Sequence, residues 1–335
     1  VQFLVHGQLI DNYKNLHPFP NLLGNIDPGF SFFPIVDNLK LHIRCYTNKH
    51  MPRYGELLIF DSGLPMFSTA YGNVIQNLLS NNTMNRFGIS NACFFDRYGY
   101  GWSQLSPEAM SAQTFVKKLR ASIQSISLIA NQQFYYVGWS MGGLFAQTYA
   151  MMYPNDLKGI LSIDGTDIGV LTDKKWIAIP DIIDFVNRAK KFPNEQLKDL
   201  CRSGTISIEY GWISDDTHLP KSCIEKSQAI FTNPDQNYLN AVIQELTKFI
   251  DNAKDLKKAY ANAKNPSQPL GNLPLVVISS NPDTEPDWFK RQINLTKLSS
   301  NSIQLNCNNH LVPFNQPNLI INAIEILIAK AKFKT

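Results

Sequence analysis

The 335 residues carry 31 Lys and Arg against 27 Asp and Glu, a net charge of +4, and 44% of them are hydrophobic. That length can bury a large core, as one elaborated domain or two smaller ones, and the composition is ordinary for a soluble globular chain. The mild charge comes without a Lys/Arg block, which argues against nucleic acid, and no apolar run reaches the roughly 18–20 residues of a membrane span.

Residues 1–30 are rich in Asn, Pro and Gly and read as an irregular arm laid over the domain. The chain begins at Val1 rather than Met, which fits a removed targeting segment or a trimmed chain, and so either a cytoplasmic or an exported protein. Phe32–Val36 and Leu39–Thr47 read as the first two strands, with Asp37-Asn38 as the hairpin turn. Glu56–Asp61 is a near-continuous apolar run, the pattern of a strand buried on both faces. An amphipathic helix near Tyr71–Ser80 and a strand at Asn91–Asp96 follow. Ser106-Pro107-Glu108 places a Ser cap, a first-turn Pro and an acid at the start of a helix running to about Asn131.

The central stretch is Phe134 to Phe145, a β-branched and aromatic run, then Gly138-Trp139-Ser140-Met141-Gly142, then an apolar helix ending before Pro154. This is the order a nucleophile elbow requires, a strand turning so sharply into a helix that the Ser between them is strained and its hydroxyl exposed. Gly138 and Gly142 stand where a Cβ would collide with the turn or the adjoining strand. A further strand spans Lys158–Asp164, and the alternation of strands with long helices implies parallel β-α-β units and an α/β fold.

From Gly165 to about Asn272 no buried-strand pattern appears, only helical segments at Ile182–Phe192, Cys223–Phe231 and Tyr238–Lys264. The insertion could cover the sheet end where Ser140 sits. Its aromatics, Trp176, Phe185, Phe192, Trp212 and Phe231, permit a lipid-facing lid, although such spacing is usually core packing. The parallel pattern resumes with a strand at Leu273–Ser280, a helix at Pro286–Leu298, a strand at Ser302–Cys307 and a last helix at Gln316–Ala331.

Ligands in open α/β sheets bind at the carboxyl ends of strands, so the partners of Ser140 should follow strands directly. Of six His, His310 alone lies just beyond the last strand, which makes it the expected base. Asp283, three residues past the Leu273–Ser280 strand, is the favoured acid in the order Ser…Asp…His. Asp287 and Asp164, the latter at the tip of the strand after the elbow, are the alternatives. The oxyanion donors are expected to be the backbone N–H groups of Met141, at a helix N-terminus, and of Leu64, after Gly63. The segment Asp96–Ser103 reads as a structural turn at the pocket rim, with Asp96 and Arg97 paired to each other. The five Cys show no metal-ligand spacing; Cys45, Cys93 and Cys307 read as small core residues, and Cys201 with Cys223 as a possible pair in an oxidising compartment.

Ser62-Gly63-Leu64-Pro65, Asp96 to Ser103, Gly138 to Gly143, Pro274 to Asp283, and His310 together resemble the α/β-hydrolase fold family, serine esterase and lipase branch. The resemblance covers about residues 35–165 and 270–330. It implies a mostly parallel central sheet flanked by helices, with a helical cap between the sixth and seventh strands. The expected division is an arm at 1–30, a hydrolase core at 31–165 and 271–335, and a cap at 166–270. Many members carry His-Gly where Ser62-Gly63 stands here, and a Ser nucleophile argues against the dehalogenase and epoxide-hydrolase branches, which use Asp.

The expected activity is a cofactor-independent cleavage of a small-molecule or lipid carboxylic ester through Ser140, His310 and Asp283. A thioesterase, an amidase or aminopeptidase, and an acyltransferase fit the same motifs. From another class, a binding protein on a hydrolase scaffold is the rival, against which the presence of all three residue types counts.

Overall fold

The computed structural model describes residues 18–332 apart from 52–54, 81, 173–178, 194–195, 197–198, 201–202, 204–211, 234, 236, 281–282 and 284–285. Its strands are β1 (Phe30–Phe32), β2 (Ile35–Val36), β3 (Leu39–Lys40), β4 (His42–Thr47), β5 (Glu56–Asp61), β6 (Ile89–Asp96), β7 (Phe134–Trp139), β8 (Leu157–Ile163), β9 (Leu275–Ser279) and β10 (Ser302–Asn306). Eight of them form one sheet in the order β1-β4-β6-β5-β7-β8-β9-β10. The β1–β4 and β4–β6 pairs are antiparallel and the rest parallel.

Parallel strands need crossovers, and the helices supply them. They are α1 (Gly72–Leu79), α2 (Thr83–Phe87), α3 (Ala112–Ser125), α4 (Met141–Met152), α5 (Ile179–Ala189), α6 (Lys221–Phe231), α7 (Asn237–Ala261), α8 (Pro286–Thr296), α9 (Val312–Asn315) and α10 (Pro317–Lys332). Helix α1 packs on α10, which lies against β8 and β9, while α3 packs on α4, which lies against β7 and β8. The apolar run Leu57–Phe60 is buried throughout, as a strand covered on both faces must be.

The expected hairpin turn is present, with Asp37 and Asn38 both at positive φ, but it joins only the two-residue strands β2 and β3. The strand after it, β4, instead enters the main sheet. Helix α3 starts at Ala112, capped by the Ser111 side chain, which accepts from the Thr114 N–H. Ser106 does not cap it, because the insertion draws that segment away: Gln244 donates to the Ser106 carbonyl and Asn252 accepts from the Ala112 N–H. The segment between β8 and β9, the sixth and seventh strands of the main sheet in chain order, carries α5, α6 and α7 and no strand among the described residues.

Cys45 and Cys93 face each other across the β4–β6 pair and are joined as a disulfide, so they are more than small core residues. Cys223 is a buried free thiol that donates to the Leu22 carbonyl, while Cys201 and Trp176 lie outside the described residues, as does the arm before residue 18. The described part of the arm is anchored through Asp27, whose carboxylate pairs with Arg44 at 2.6 Å and accepts from the Leu23 and Gly29 amides.

Beside that anchor lies a buried polar chain. Ser31 Oγ is 2.8 Å from His42 Nε2, and His42 Nδ1 is 2.6 Å from Asp96 Oδ2. Asp96 also accepts from the Ser68 and Trp102 amides, and Arg44 donates to Ser31 Oγ. Each group is out of water and partnered, so the chain ties β1, β4 and β6 together at the sheet edge without a desolvation penalty left open. The expected Asp96–Arg97 pair therefore does not form: adjacent residues of an extended segment point to opposite faces, and Arg97 turns to the other side.

Candidate active site

Ser140 joins β7 to α4 with φ 51° and ψ −118°, a conformation that side-chain-bearing residues rarely adopt. The turn is fixed by the Ser140 N–H donating to the Ile163 carbonyl, and by the Ser140 carbonyl accepting from Gly143 and Thr166. The flanking glycines are required by contact. A Cβ on Gly138 would lie 2.4 Å from the Gly142 oxygen, and one on Gly142 would lie 2.6 Å from the Asp61 oxygen.

His310 follows β10 and places Nε2 3.0 Å from Ser140 Oγ, while its Nδ1 is 2.6 Å from Asp164 Oδ2. The imidazole is thus held with one nitrogen toward a carboxylate and the other toward the hydroxyl. Asp164 is fully buried, whereas the His310 side chain is 39% exposed, so the imidazole reaches solvent and the carboxylate does not. This corrects the favoured expectation. The carboxylate on His310 comes from Asp164, at the tip of β8 beside the elbow strand, and Asp283 stands in an exposed turn. Asp287 is 96% exposed beside Lys290.

The second oxygen of Asp164 explains why this acid is the one held. Oδ1 accepts from the Ser280 N–H at 2.9 Å, the Ser280 hydroxyl at 3.2 Å and the Trp288 indole N–H at 2.8 Å. Such donors satisfy the polar oxygens of a carboxylate buried out of water. Two indoles also enclose His310: Trp288 meets the imidazole edge-on at 5.9 Å, and Trp139 lies 5.8 Å from it while donating to the His310 carbonyl at 2.9 Å. Trp288 in turn carries the Arg291 guanidinium on its face, and Arg291 is held by Asp167, whose carboxyl burial pushes up against the opposing pull of Arg291. Ser280 and the two Trp roles were not anticipated. The only hint was position, since Ser280 ends the β9 run and Trp139 sits inside the elbow motif.

The loop after β5 also runs past Ser140. A Cβ on Gly63 would lie 2.9 Å from the Ser140 Cβ and 3.3 Å from the Trp139 ring, so the backbone there passes directly against Ser140. Leu64 follows in that loop, and Met141 is the first residue of α4, where helix N–H groups lack intrahelical acceptors. Arg97 sits behind the loop, donating to the Ser62 and Gly63 carbonyls and pairing with Asp61 and with Glu245 of α7. Burial would lower the Arg97 pKa, but Glu245 and Asp61 together drive it well above the usual value. Burial pushes the Asp61 carboxyl up to about 6, against the lowering influence of Arg97 and of the Tyr136 hydroxyl, which donates to it at 2.8 Å.

A family model described as the alpha/beta hydrolase fold matches residues 58–194, the span from β5 through the elbow into the insertion. The chain has the α/β-hydrolase fold. Among solved structures, the hydrolase MGS-M2 from a Medee basin deep-sea metagenome library superposes with a TM-score of 0.61 at 16% identity, covering 89% of this chain and 97% of that one. The epoxide hydrolase CorEH superposes with a TM-score of 0.59 at 14% identity, over 90% and 99% of the two chains. Likeness at these identities is a likeness of fold. A relative from Saccharomyces cerevisiae (strain YJM789), named an uncharacterized vacuolar membrane protein, is 27% identical over 158 residues. The match takes in 42% of this chain but 22% of that relative, so this chain spans under a quarter of its length. Among the described residues, no helix is long and apolar enough to cross a membrane.

Proposed function

We propose that this hydrolase cleaves a carboxylic ester by nucleophilic catalysis at Ser140. The observation that carries the reading is the continuous path from Ser140 Oγ through His310 to the buried carboxylate of Asp164. With Asp164 accepting the Nδ1 proton, Nε2 is left as an acceptor facing the hydroxyl. As Oγ attacks the acyl carbon, Nε2 takes the Ser140 proton and Asp164 stabilises the imidazolium. The Leu64 and Met141 N–H groups stabilise the tetrahedral oxyanion, with the α4 dipole adding to the second. His310 then protonates the departing alkoxide, leaving an acyl-Ser140 enzyme. Water attacks this ester with His310 again as base, releasing the carboxylic acid.

The helical insertion at 166–270 is read as a cap that shapes the acyl and alcohol sites, and the substrate as a small-molecule or lipid ester. A thioester, an amide, or an acyl acceptor other than water would use the same atoms, and a panel of leaving groups and chain lengths separates them. Opening of an epoxide through an alkyl-enzyme ester calls for a carboxylate where Ser140 stands. The deciding experiment is Ser140→Ala in the purified protein with p-nitrophenyl butyrate. The change should abolish turnover and labelling by a fluorophosphonate probe, and retained turnover refutes the assignment.

A further inference from the structure

Arg97 makes no hydrogen bond to Ser140, His310 or Asp164, yet its guanidinium is almost entirely enclosed, and its hydrogen bonds converge on one loop. It donates through Nη1 to Asp61 at 2.5 Å and to the Ser62 carbonyl, and through Nη2 to the Gly63 carbonyl at 3.4 Å. Its other edge is gripped by Glu245 of α7, through Nε and through Nη2 at 3.1 Å, and Glu245 also accepts from the Tyr100 hydroxyl at 3.0 Å. The rings of Phe145 and Tyr100 lie 5.3 and 5.4 Å from its cationic carbon.

The Gly63 carbonyl and the Leu64 N–H belong to the same peptide group. In a trans peptide they point in opposite directions, so a donor that fixes the carbonyl fixes the N–H, and a positive charge at the oxygen end polarises the N–H outward. The Met66 N–H at 2.7 Å is the closer partner of that carbonyl, and Arg97 brings the charge. Holding the Ser62 carbonyl as well fixes the preceding peptide plane, so the loop cannot rotate about Gly63 without breaking a charged hydrogen bond.

We propose that Arg97 is the positioning residue for the Leu64 oxyanion donor, and that Glu245 makes this dependent on the seating of α7. Three of the five guanidinium N–H directions are used within the core and the rest on the insertion, so displacement of α7 would leave a buried cation short of a partner at the back of the oxyanion loop. The cap then governs catalysis as well as access. This rests on the proposed roles of Ser140 and Leu64.

The test compares Arg97→Lys, whose single ammonium cannot span two carbonyls and two carboxylates, with Glu245→Gln, which keeps shape and loses charge. With p-nitrophenyl butyrate, kcat should fall at least about tenfold for Arg97→Lys and about three- to tenfold for Glu245→Gln, with KM within about twofold. Phenylboronic acid, which forms a tetrahedral adduct on a nucleophilic serine, should weaken in step with kcat/KM. Loss of folding would lower the active fraction without changing the boronate affinity of what remains, and if Arg97→Lys yields no folded protein then Glu245→Gln decides. If Ser140→Ala abolishes turnover while both substitutions leave kcat and boronate affinity within about twofold, this inference alone is overturned. If Ser140→Ala keeps its activity, the reading of the site fails and this inference with it.

Discussion

Replacing Asp164 by Asn discriminates sharply between the two candidate acids, and its size can be worked from the contacts. Oδ1 of Asp164 accepts from two N–H groups, the Ser280 amide and the Trp288 indole. In Asp164→Asn the amide oxygen must take that position, since the opposite orientation would set an NH2 against two N–H donors. The NH2 then faces His310 Nδ1, which can only accept, and the imidazole proton is forced onto Nε2, facing Ser140. The base is protonated where it should receive a proton. Flipping the amide to recover the productive tautomer leaves two buried donors unsatisfied, at about 1–3 kcal/mol each. Loss of the imidazolium's counter-charge adds to this, for a total of about 4–7 kcal/mol in the barrier, or roughly a 10³- to 10⁵-fold loss in kcat. Initial rates with p-nitrophenyl butyrate at neutral pH measure it, with Asp283→Asn as the paired control expected to stay within about twofold. Retention of more than about a tenth of the activity by Asp164→Asn, or a comparable collapse in Asp283→Asn, refutes the reasoning.

Trp288→Phe keeps a ring edge on His310 but removes one of three donors to Asp164 Oδ1; kcat should fall about three- to thirtyfold with KM unchanged, read by steady-state kinetics. Gly63→Ala would set a Cβ 2.9 Å from that of Ser140; turnover should fall at least about a hundredfold while far-UV circular dichroism stays that of the parent. The Asp61 carboxyl, raised by burial to about 6, binds its proton more readily in the folded chain than in the unfolded one. Its contribution to stability is therefore full below about pH 4 and is lost as pH rises to about 6, a change on the order of 3 kcal/mol. Thermal melts from pH 4 to 7 should show that decline, and Asp61→Asn should flatten it.

The elbow was legible because contact geometry dictates its glycines: where three backbone segments crowd, only a missing Cβ fits, and that requirement is written in the residue type. The place of His310 beside Ser140 was legible because few residues follow the last strand at that end of the sheet. Its carboxylate partner was harder to read. Both Asp164 and Asp283 follow strands and both precede His310, so chain order cannot separate them. What separates them is the set of donors around the second carboxylate oxygen, from Ser280 and Trp288, more than a hundred residues away from Asp164. The N-cap at Ser111 was missed for a similar reason, since Ser106-Pro107-Glu108 is a sound local start that the Gln244 and Asn252 contacts override. The Cys45–Cys93 bond depends on the antiparallel register of β4 with β6, which hydrophobic pattern alone leaves open.

The polar chain at the sheet edge has a bearing on how serine enzymes are recognised. Ser31, His42 and Asp96 reproduce the order and spacing of a charge-relay site, 2.8 and 2.6 Å against 3.0 and 2.6 Å at Ser140. A template search by interatomic distance would return both. They differ in everything such a template omits. Ser31 is buried in a regular strand with Arg44 on its oxygen, whereas Ser140 stands on a strained turn beside a half-exposed imidazole. The molecule thus contains its own decoy, and a covalent probe that modifies Ser140 and spares Ser31 would measure how much of serine reactivity lies in backbone conformation and access rather than in the triad of side chains.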